Sequence, residues 1–167
     1  WRGGQRWEEE FRPAAIRGGR SFEITDGQVW LITGGPGPVA SALAEALAGR
    51  AKVKIAFVSR SGKTTGIDCL TAHGATVTCH AADVADKNAL TAVWQAVETA
   101  YGPITGVIHA DTITGPQSFT LLEEASTGFS QFAAKIDGTR NIASLAGGVA
   151  RVILVSSTAL VLGGVGR

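Results

Sequence analysis

The stretch Val29-Trp-Leu-Ile-Thr-Gly-Gly-Pro-Gly-Pro-Val-Ala40 runs an apolar segment into three glycines and two prolines, and Ser41-Ala-Leu-Ala-Glu-Ala-Leu-Ala48 follows it. The apolar run to Thr33 predicts a short strand. Val39, Leu43 and Leu47, four apart, predict one stripe of a helix. Such a turn can be a tight corner and nothing more, or it can hold an anion. In a dinucleotide-binding turn the first glycine makes the bend, the second lets the backbone approach a pyrophosphate, and a third small residue lets the helix lie close to the sheet. Gly35, Gly37 and Ala40 fit G-x-G-x-x-A. The phosphate would sit at the start of the helix, where unpaired N–H groups and the helix dipole favour negative charge. Pro38 suits a first helical turn because no intrahelical bond is lost there, but it offers a phosphate no donor. The turn follows a strand, opens a helix and comes first in an alternating series, which favours nucleotide binding over a bare corner.

Outward from this turn the alternation continues. Val53 to Val58 predicts a second strand, Thr65 to His73 a short helix closed by Gly74, and Thr76 to His80 a third strand. Asp86 to Tyr101 carries Leu90, Val93, Trp94 and Val97 at helical spacing, with Asp86 as N-cap and Gly102-Pro103 as the stop. Ile104 to His109 predicts a fourth strand, Phe129 to Leu145 a long helix and Val152 to Val155 a fifth strand. Strands alternating with helices imply right-handed crossovers and a doubly wound parallel α/β sheet covered on both faces.

The 167 residues are 45% apolar and 17% charged, enough for one buried core. Fifteen Lys and Arg against 14 Asp and Glu leave a net charge of +1, and no basic block is present to track a nucleic-acid backbone. No apolar run reaches the roughly 20 residues that span a bilayer, and no secretory signal opens the chain. A cytoplasmic protein is expected, with Cys69 and Cys79 as buried free thiols. Starting at Trp1 and lacking Met, the sequence reads as part of a longer polypeptide. Residues 1–26 break the pattern: a short strand from Gln5 to Phe11 and a linker are expected before a nucleotide-binding domain over 27–167, or else a tail wrapping that domain.

The second strand ends in Val58-Ser-Arg-Ser-Gly62. A carboxylate there would hold a ribose 2′-hydroxyl, whereas Arg60 can pair with a 2′-phosphate and so argues for NADP. A solvated surface arginine is the plainer reading. His73, His80 and His109 fall in different elements with no metal-ligand spacing, so no metal site is expected. Ser156-Ser157 lacks the G-x-S-x-G context of a hydrolase nucleophile.

Several segments together resemble the short-chain dehydrogenase/reductase superfamily and, within it, the ketoreductase domains of modular polyketide synthases. Leu31-Ile-Thr-Gly-Gly-Pro-Gly-Pro-Val-Ala40 is similar to the family's LITGGTGGLG, Ser59-Arg-Ser-Gly62 to SRSG and Ala82-Asp-Val-Ala-Asp86 to ADVAD. Gly106-Val-Ile-His-Ala110 resembles GVIHAA, Ala134-Lys-Ile-Asp-Gly-Thr139 resembles PKVDGT, and Val155-Ser-Ser157 resembles FSS. Trp1-Arg-Gly-Gly-Gln-Arg-Trp7 looks like the closing strand of the structural subdomain that precedes such domains.

The resemblance implies a Rossmann-like fold, truncated after the fifth strand, that binds NADPH and reduces the β-keto group of an intermediate carried by an acyl carrier protein, among neighbouring synthase domains. It assigns cofactor contacts to Thr33, Gly34, Gly35, Gly37, Val39, Ser59, Arg60, Asp83, Val84, Ala110 and Lys135. Asp83 would accept from the adenine amino group and Ala110 would line the nicotinamide side. Lys135 and Ser157 would be catalytic, the lysine holding the ribose and the serine bonding the substrate carbonyl. The sequence also departs from the family. Pro36 and Pro38 replace a Thr and a Gly, Asp111-Thr112 replaces Ala-Gly, and the segment from Lys63 to Thr65 is short. Thr114-Gly-Pro116 and Leu162 stand where stereochemical markers would fall. The only tyrosine, Tyr101, closes a helix far from Ser157. These departures motivate a second reading, a non-catalytic scaffold between synthase domains; a free-standing dehydrogenase is a third.

Overall fold

The computed structural model describes residues 1, 3–6, 22–111, 125–147 and 151–157. The elements alternate as β1 (Val29–Thr33), α1 (Pro38–Ala48), β2 (Lys54–Ser59), α2 (Asp68–Ala72), β3 (Thr76–Ala81), α3 (Lys87–Tyr101), β4 (Gly106–His109), α4 (Ala125–Ala146) and β5 (Arg151–Leu154). The strands form one parallel sheet in the order β3-β2-β1-β4-β5. The chain crosses from β3 on one side to β4 on the other, so the sheet's switch point lies between β1 and β4.

A central strand in a parallel sheet buries both faces, and β1 is buried at every position. Its side chains divide between two cores. Val29 and Leu31 meet Leu90, Trp94 and Val97 of α3 and Ile142 of α4. Trp30 and Ile32 meet Ala40, Ala44 and Leu47 of α1 and Leu70 of α2. The Trp30 indole is fully buried and pairs in register with Gly106 on β4. A Cβ on Gly106 would stand 2.4 Å from the Trp30 ring, so the glycine is what gives the indole its place.

Helix ends follow the local chemistry. Asp86 caps α3, its carboxylate accepting from the N–H groups of Asn88 and Ala89 at 2.9 and 3.1 Å. Gly102 ends that helix at φ +91°, where a side chain would be strained. Tyr101 lies at the N-terminal edge of the sheet: its carbonyl accepts from Lys54 Nζ at 3.1 Å, and that ammonium stands 5.7 Å from the centre of its ring.

Two expectations are corrected here. The second helix begins at Asp68 and not at Thr65, because Gly66 adopts φ +84° and turns the chain before it. Cys69 is exposed and Cys79 only half-buried, so the thiols are not the buried pair their neighbours suggested. Of the N-terminal segment, Gln5 makes an isolated bridge. The rest of the expected strand, from Trp7 to Phe11, lies outside the described residues, as do Thr112, Thr114-Gly-Pro116 and Leu162.

Gly106→Ala is expected to lower the unfolding free energy by about 1–3 kcal/mol through overpacking against Trp30. A fall in the urea midpoint at unchanged slope measures it; an unchanged midpoint would mean that the indole is free to move aside.

Candidate active site

At the C-terminal ends of the strands, the turn after β1 forms the floor of a shallow cleft of about 190 Å³. Gly34, Gly35, Pro36 and Gly37 line it from the turn after β1, Ser59 from the end of β2, and Ser61, Lys63 and Thr65 from beyond β2. Gly34 and Gly35 are required by conformation, with φ of +98° and +64°. Added Cβ atoms would stand 2.8 Å from the Ala110 carbonyl oxygen and 3.0 Å from Ser59 Cβ respectively. Gly37 differs. Its φ is an ordinary −78°, and a Cβ there would meet only the Gly34 carbonyl oxygen at 3.7 Å. The fold does not need glycine at this position, but a ligand lying against the backbone would.

The donors available to that ligand are few. Gly34 and Gly35 both donate to the Val58 carbonyl, at 3.0 and 3.1 Å, and Gly37 donates to Gly35 O at 2.8 Å. Pro36 and Pro38 have no N–H. The first intrahelical bond of α1 is Ser41 N to Gly37 O. The Val39 and Ala40 N–H groups precede it at the helix N-terminus, where an anion is favoured. The Val39 side chain is 54% exposed beside them.

On the other side of β1, a polar cluster ties β1, β4, β5 and α4 together. His109, 1% exposed at the end of β4, has one ring nitrogen 3.0 Å from the Ala134 carbonyl oxygen and the other 2.6 Å from Thr33 Oγ1. A carbonyl can only accept, so Nε2 carries a proton and donates to Ala134; in the neutral ring Nδ1 then accepts from the Thr33 hydroxyl. Burial pushes the imidazole pKa below its usual value, and the Lys135 charge adds to this. The Ala134 bond and the Asp111 charge act the other way. Lys135, the next residue on α4, donates from Nζ to Val155 O at 3.1 Å, and Val155 N donates to His109 O at 3.0 Å. Desolvation lowers the Lys135 pKa, opposed by Asp111. The lysine ammonium is thus fixed at the tip of β5, two residues before Ser157, which is exposed.

A family model described as the KR domain matches residues 28–167. The chain belongs to the KR-domain family. A highly reducing polyketide synthase of Aspergillus terreus is 30% identical over 137 residues, which are 78% of this chain and 6% of that protein. Polyketide synthase GfsA of Streptomyces halstedii is 35% identical over 100 residues, 59% of this chain and 1% of that protein. Among solved structures, an N-terminal ketoreductase from the macrolactin assembly line matches with a TM-score of 0.80 at 25% identity, covering 90% of this chain and 32% of that one. A structure of A-type ketoreductases from a modular polyketide synthase matches at 0.79 and 25%, covering 94% and 34%. The chain therefore spans a few per cent of these synthases and about a third of the solved ketoreductases.

Within this KR domain the expected site residues fall into two groups. Gly34, Gly35, Gly37 and Ser59 line the cleft together. Arg60 stands exposed beside it, while Ser61, Lys63 and Thr65, which the sequence reading passed over, line it. Asp83 is exposed beyond β3, one carboxylate oxygen accepting from Ala85 N at 2.9 Å. Ala110 is half-buried after β4, its N–H directed to Thr33 O at 3.3 Å. The Thr33 and Val84 side chains are turned inward: Thr33 serves His109, and Val84 is buried in the core. Asn141 was also missed; its amide donates to the carbonyls of Val84 and Ala85, both at 3.0 Å. The three histidines have separate settings, His73 bonded to the Cys69 carbonyl, His80 to Thr78 and His109 in the cluster above.

The neutral His109 gives a pH dependence whose sign is fixed. Its native pKa lies below the unfolded value of about 6.5, so its stabilising contribution is complete above that pH and is lost as pH falls toward the native pKa. The charged groups facing it are Lys135 from α4 and Asp111 from the end of β4. Half-buried His80, also lowered by desolvation, adds in the same direction. Urea unfolding should show stability declining below about pH 6.5 in both the wild type and His80→Gln; a flat profile in His80→Gln would remove His109 as the cause.

Proposed function

We propose that this KR domain binds NADPH across the strand tips and reduces the β-keto group of an intermediate tethered to an acyl carrier protein, as one domain of a polyketide synthase. The observation that carries this is Gly37, a glycine the fold does not require, baring backbone to the cleft beside the open N-terminus of α1. The order of groups along the sheet supports the same reading. Asp83 lies beyond β3, Arg60 and Lys63 beyond β2, the glycine turn after β1, Ala110 after β4, and Lys135 with Ser157 at β5. With strands about 4.8 Å apart, these stations are spread over roughly 19 Å. An adenosine half would lie toward β3 and a nicotinamide half toward β4 and β5, with the pyrophosphate at the turn between them.

The residues present fit that cofactor in charge as well as shape. Arg60 and Lys63 supply cations where a 2′-phosphate would lie, which favours NADPH over NADH. A reduced nicotinamide, when bound, supplies a hydride. Ser157 would donate to the carbonyl oxygen as negative charge builds there, and the Lys135 ammonium would hold ribose hydroxyls and stabilise the same charge. Tyr101, at the opposite edge of the sheet, is not the proton donor.

A scaffold role is the second reading, and one observation favours it: the turn keeps only the Val39 and Ala40 N–H groups for an anion. Fluorescence titration with NADPH separates the two in part. Saturable binding is expected, weakened about tenfold in Lys63→Ala with a much smaller effect on NADH, as for loss of a charge-assisted hydrogen bond. Gly37→Ala should abolish most binding while leaving the urea midpoint nearly unchanged. In the intact synthase, loss of NADPH absorbance on adding a β-ketoacyl thioester supports the enzyme; binding without turnover supports the scaffold.

A further inference from the structure

We propose that His109 is a positioning residue for the reaction: as the neutral Nε2–H tautomer it fixes the Ala134 turn of α4 to the tips of β1 and β4, and so sets where the Lys135 ammonium stands. Its catalytic meaning rests on the ketoreductase reading above; its geometry does not.

The buried face of α4 is made of small residues near the site. Ala134 and Gly138 are buried there, and Ile142 and Ala146 follow further along. Contacts through Ala and Gly hold a helix against a sheet but resist sliding along its axis weakly, because the surface they present is nearly smooth. Directional bonds must then set the axial position. Two are present. Asn141 donates to the carbonyls of Val84 and Ala85 toward the C-terminal half of the helix. His109 donates to Ala134 O, one residue before the lysine. That carbonyl is reached because Gly138, one turn on, has no side chain: a Cβ there would stand 3.4 Å from His109 Cε1 and 2.8 Å from Val84 Cγ2.

The imidazole is itself held. Its backbone is paired in β4, its carbonyl receives Val155 N, and Nδ1 receives the Thr33 hydroxyl. Thr33 immediately precedes Gly34, so one side chain links the glycine turn to the lysine. A phenylalanine of similar shape would fill the volume and leave both the Thr33 hydroxyl and the helix without this bond. An error of about 1 Å in placing a reacting group can cost about 100-fold in rate.

The first test uses the unaltered chain. Long-range ¹H–¹⁵N spectra of the imidazoles should show His109, assigned by its loss in His109→Phe, as the Nε2–H tautomer at pH 8 and pH 7. The Nδ1–H tautomer, or an imidazolium at pH 7, overturns the proposal. The second follows Lys135 after reductive ¹³C-methylation, assigned with Lys135→Arg. In His109→Phe its titration midpoint should move toward the ordinary lysine value of about 10.4, and His109→Gln, which keeps a donor near the Nε2 position, should restore the wild-type midpoint. An unmoved midpoint in His109→Phe overturns the proposal. In the intact synthase, kcat at saturating NADPH should fall at least tenfold in His109→Phe and recover in His109→Gln; equal kcat in all three also overturns it. Failure of the wild type to bind NADPH, with the tautomer and the lysine shift as expected, sinks the ketoreductase reading and leaves the His109 tie standing.

Discussion

A strand with neighbours on both sides and helices on both faces has no place for a polar side chain except where its bonds can be met inside the protein. β1 is such a strand, and Thr33 at its end is fully buried. An unpaired hydroxyl there would cost about 1–3 kcal/mol. His109 on the neighbouring strand meets it, and the remaining ring nitrogen must in turn find an acceptor, which Ala134 of α4 supplies. The need to satisfy one buried hydroxyl thus propagates from β1 through β4 to the helix that carries Lys135. No buried side-chain polar atom among the described residues is left without a partner, so the chain of bonds is closed.

The three glycines of the turn illustrate two different demands made by one short motif. Gly34 and Gly35 answer to the backbone, which turns through positive φ and passes close to Ala110 and Ser59. Gly37 answers to neither. The distinction matters for the prolines between them. Pro36 and Pro38 lower the conformational entropy of the unfolded turn and fix φ where the fold already has negative values, so they cost the architecture little. Their cost falls on donors: with Gly34, Gly35 and Gly37 committed to internal acceptors, a phosphate at the turn would depend on Val39, Ala40 and the helix dipole. The exposed cations of Arg60 and Lys63 would offset part of that loss.

What could be read from the sequence was what is local in it. The alternation of strands and helices, the glycine turn and the Asp86 cap each depend on residues within a few positions of one another, and each appears where expected to within about two residues in most elements. The second helix was misjudged because Gly66, one residue after the apparent start, turns the chain and delays the helix to Asp68. Cys69 was misjudged because neighbouring apolar residues do not settle burial in so short a helix: its thiol reaches the exposed Glu45 carboxylate of α1 at 3.2 Å and stays at the surface. Lys63 escaped notice because the bend at Gly62, φ +60°, brings it to the lining of the cleft, with Arg60 exposed beside it. The Thr33–His109 bond joins residues 76 apart, and no spacing rule announces it. Six family-like segments did carry the placement of Lys135 and Ser157 near one strand end, which periodicity alone would not have done.

The charges around Lys135 explain why the histidine beside it stays neutral. Lys135 is itself partly desolvated, and its pKa is lowered for that reason. A second cation on His109 would have to be buried next to it, with only Asp111 to compensate both. The less costly state is one cation, one carboxylate and a neutral ring whose two nitrogens are each bonded in their proper sense. In that state the positive charge is concentrated on the single group that reaches the tip of β5, where negative charge would develop on a substrate oxygen. Protonating His109 would spread the charge inward, away from the cleft. It would also turn Nδ1 into a donor and force the Thr33 hydroxyl to accept where it now donates. Neutrality of the ring and placement of the lysine are therefore two aspects of one arrangement.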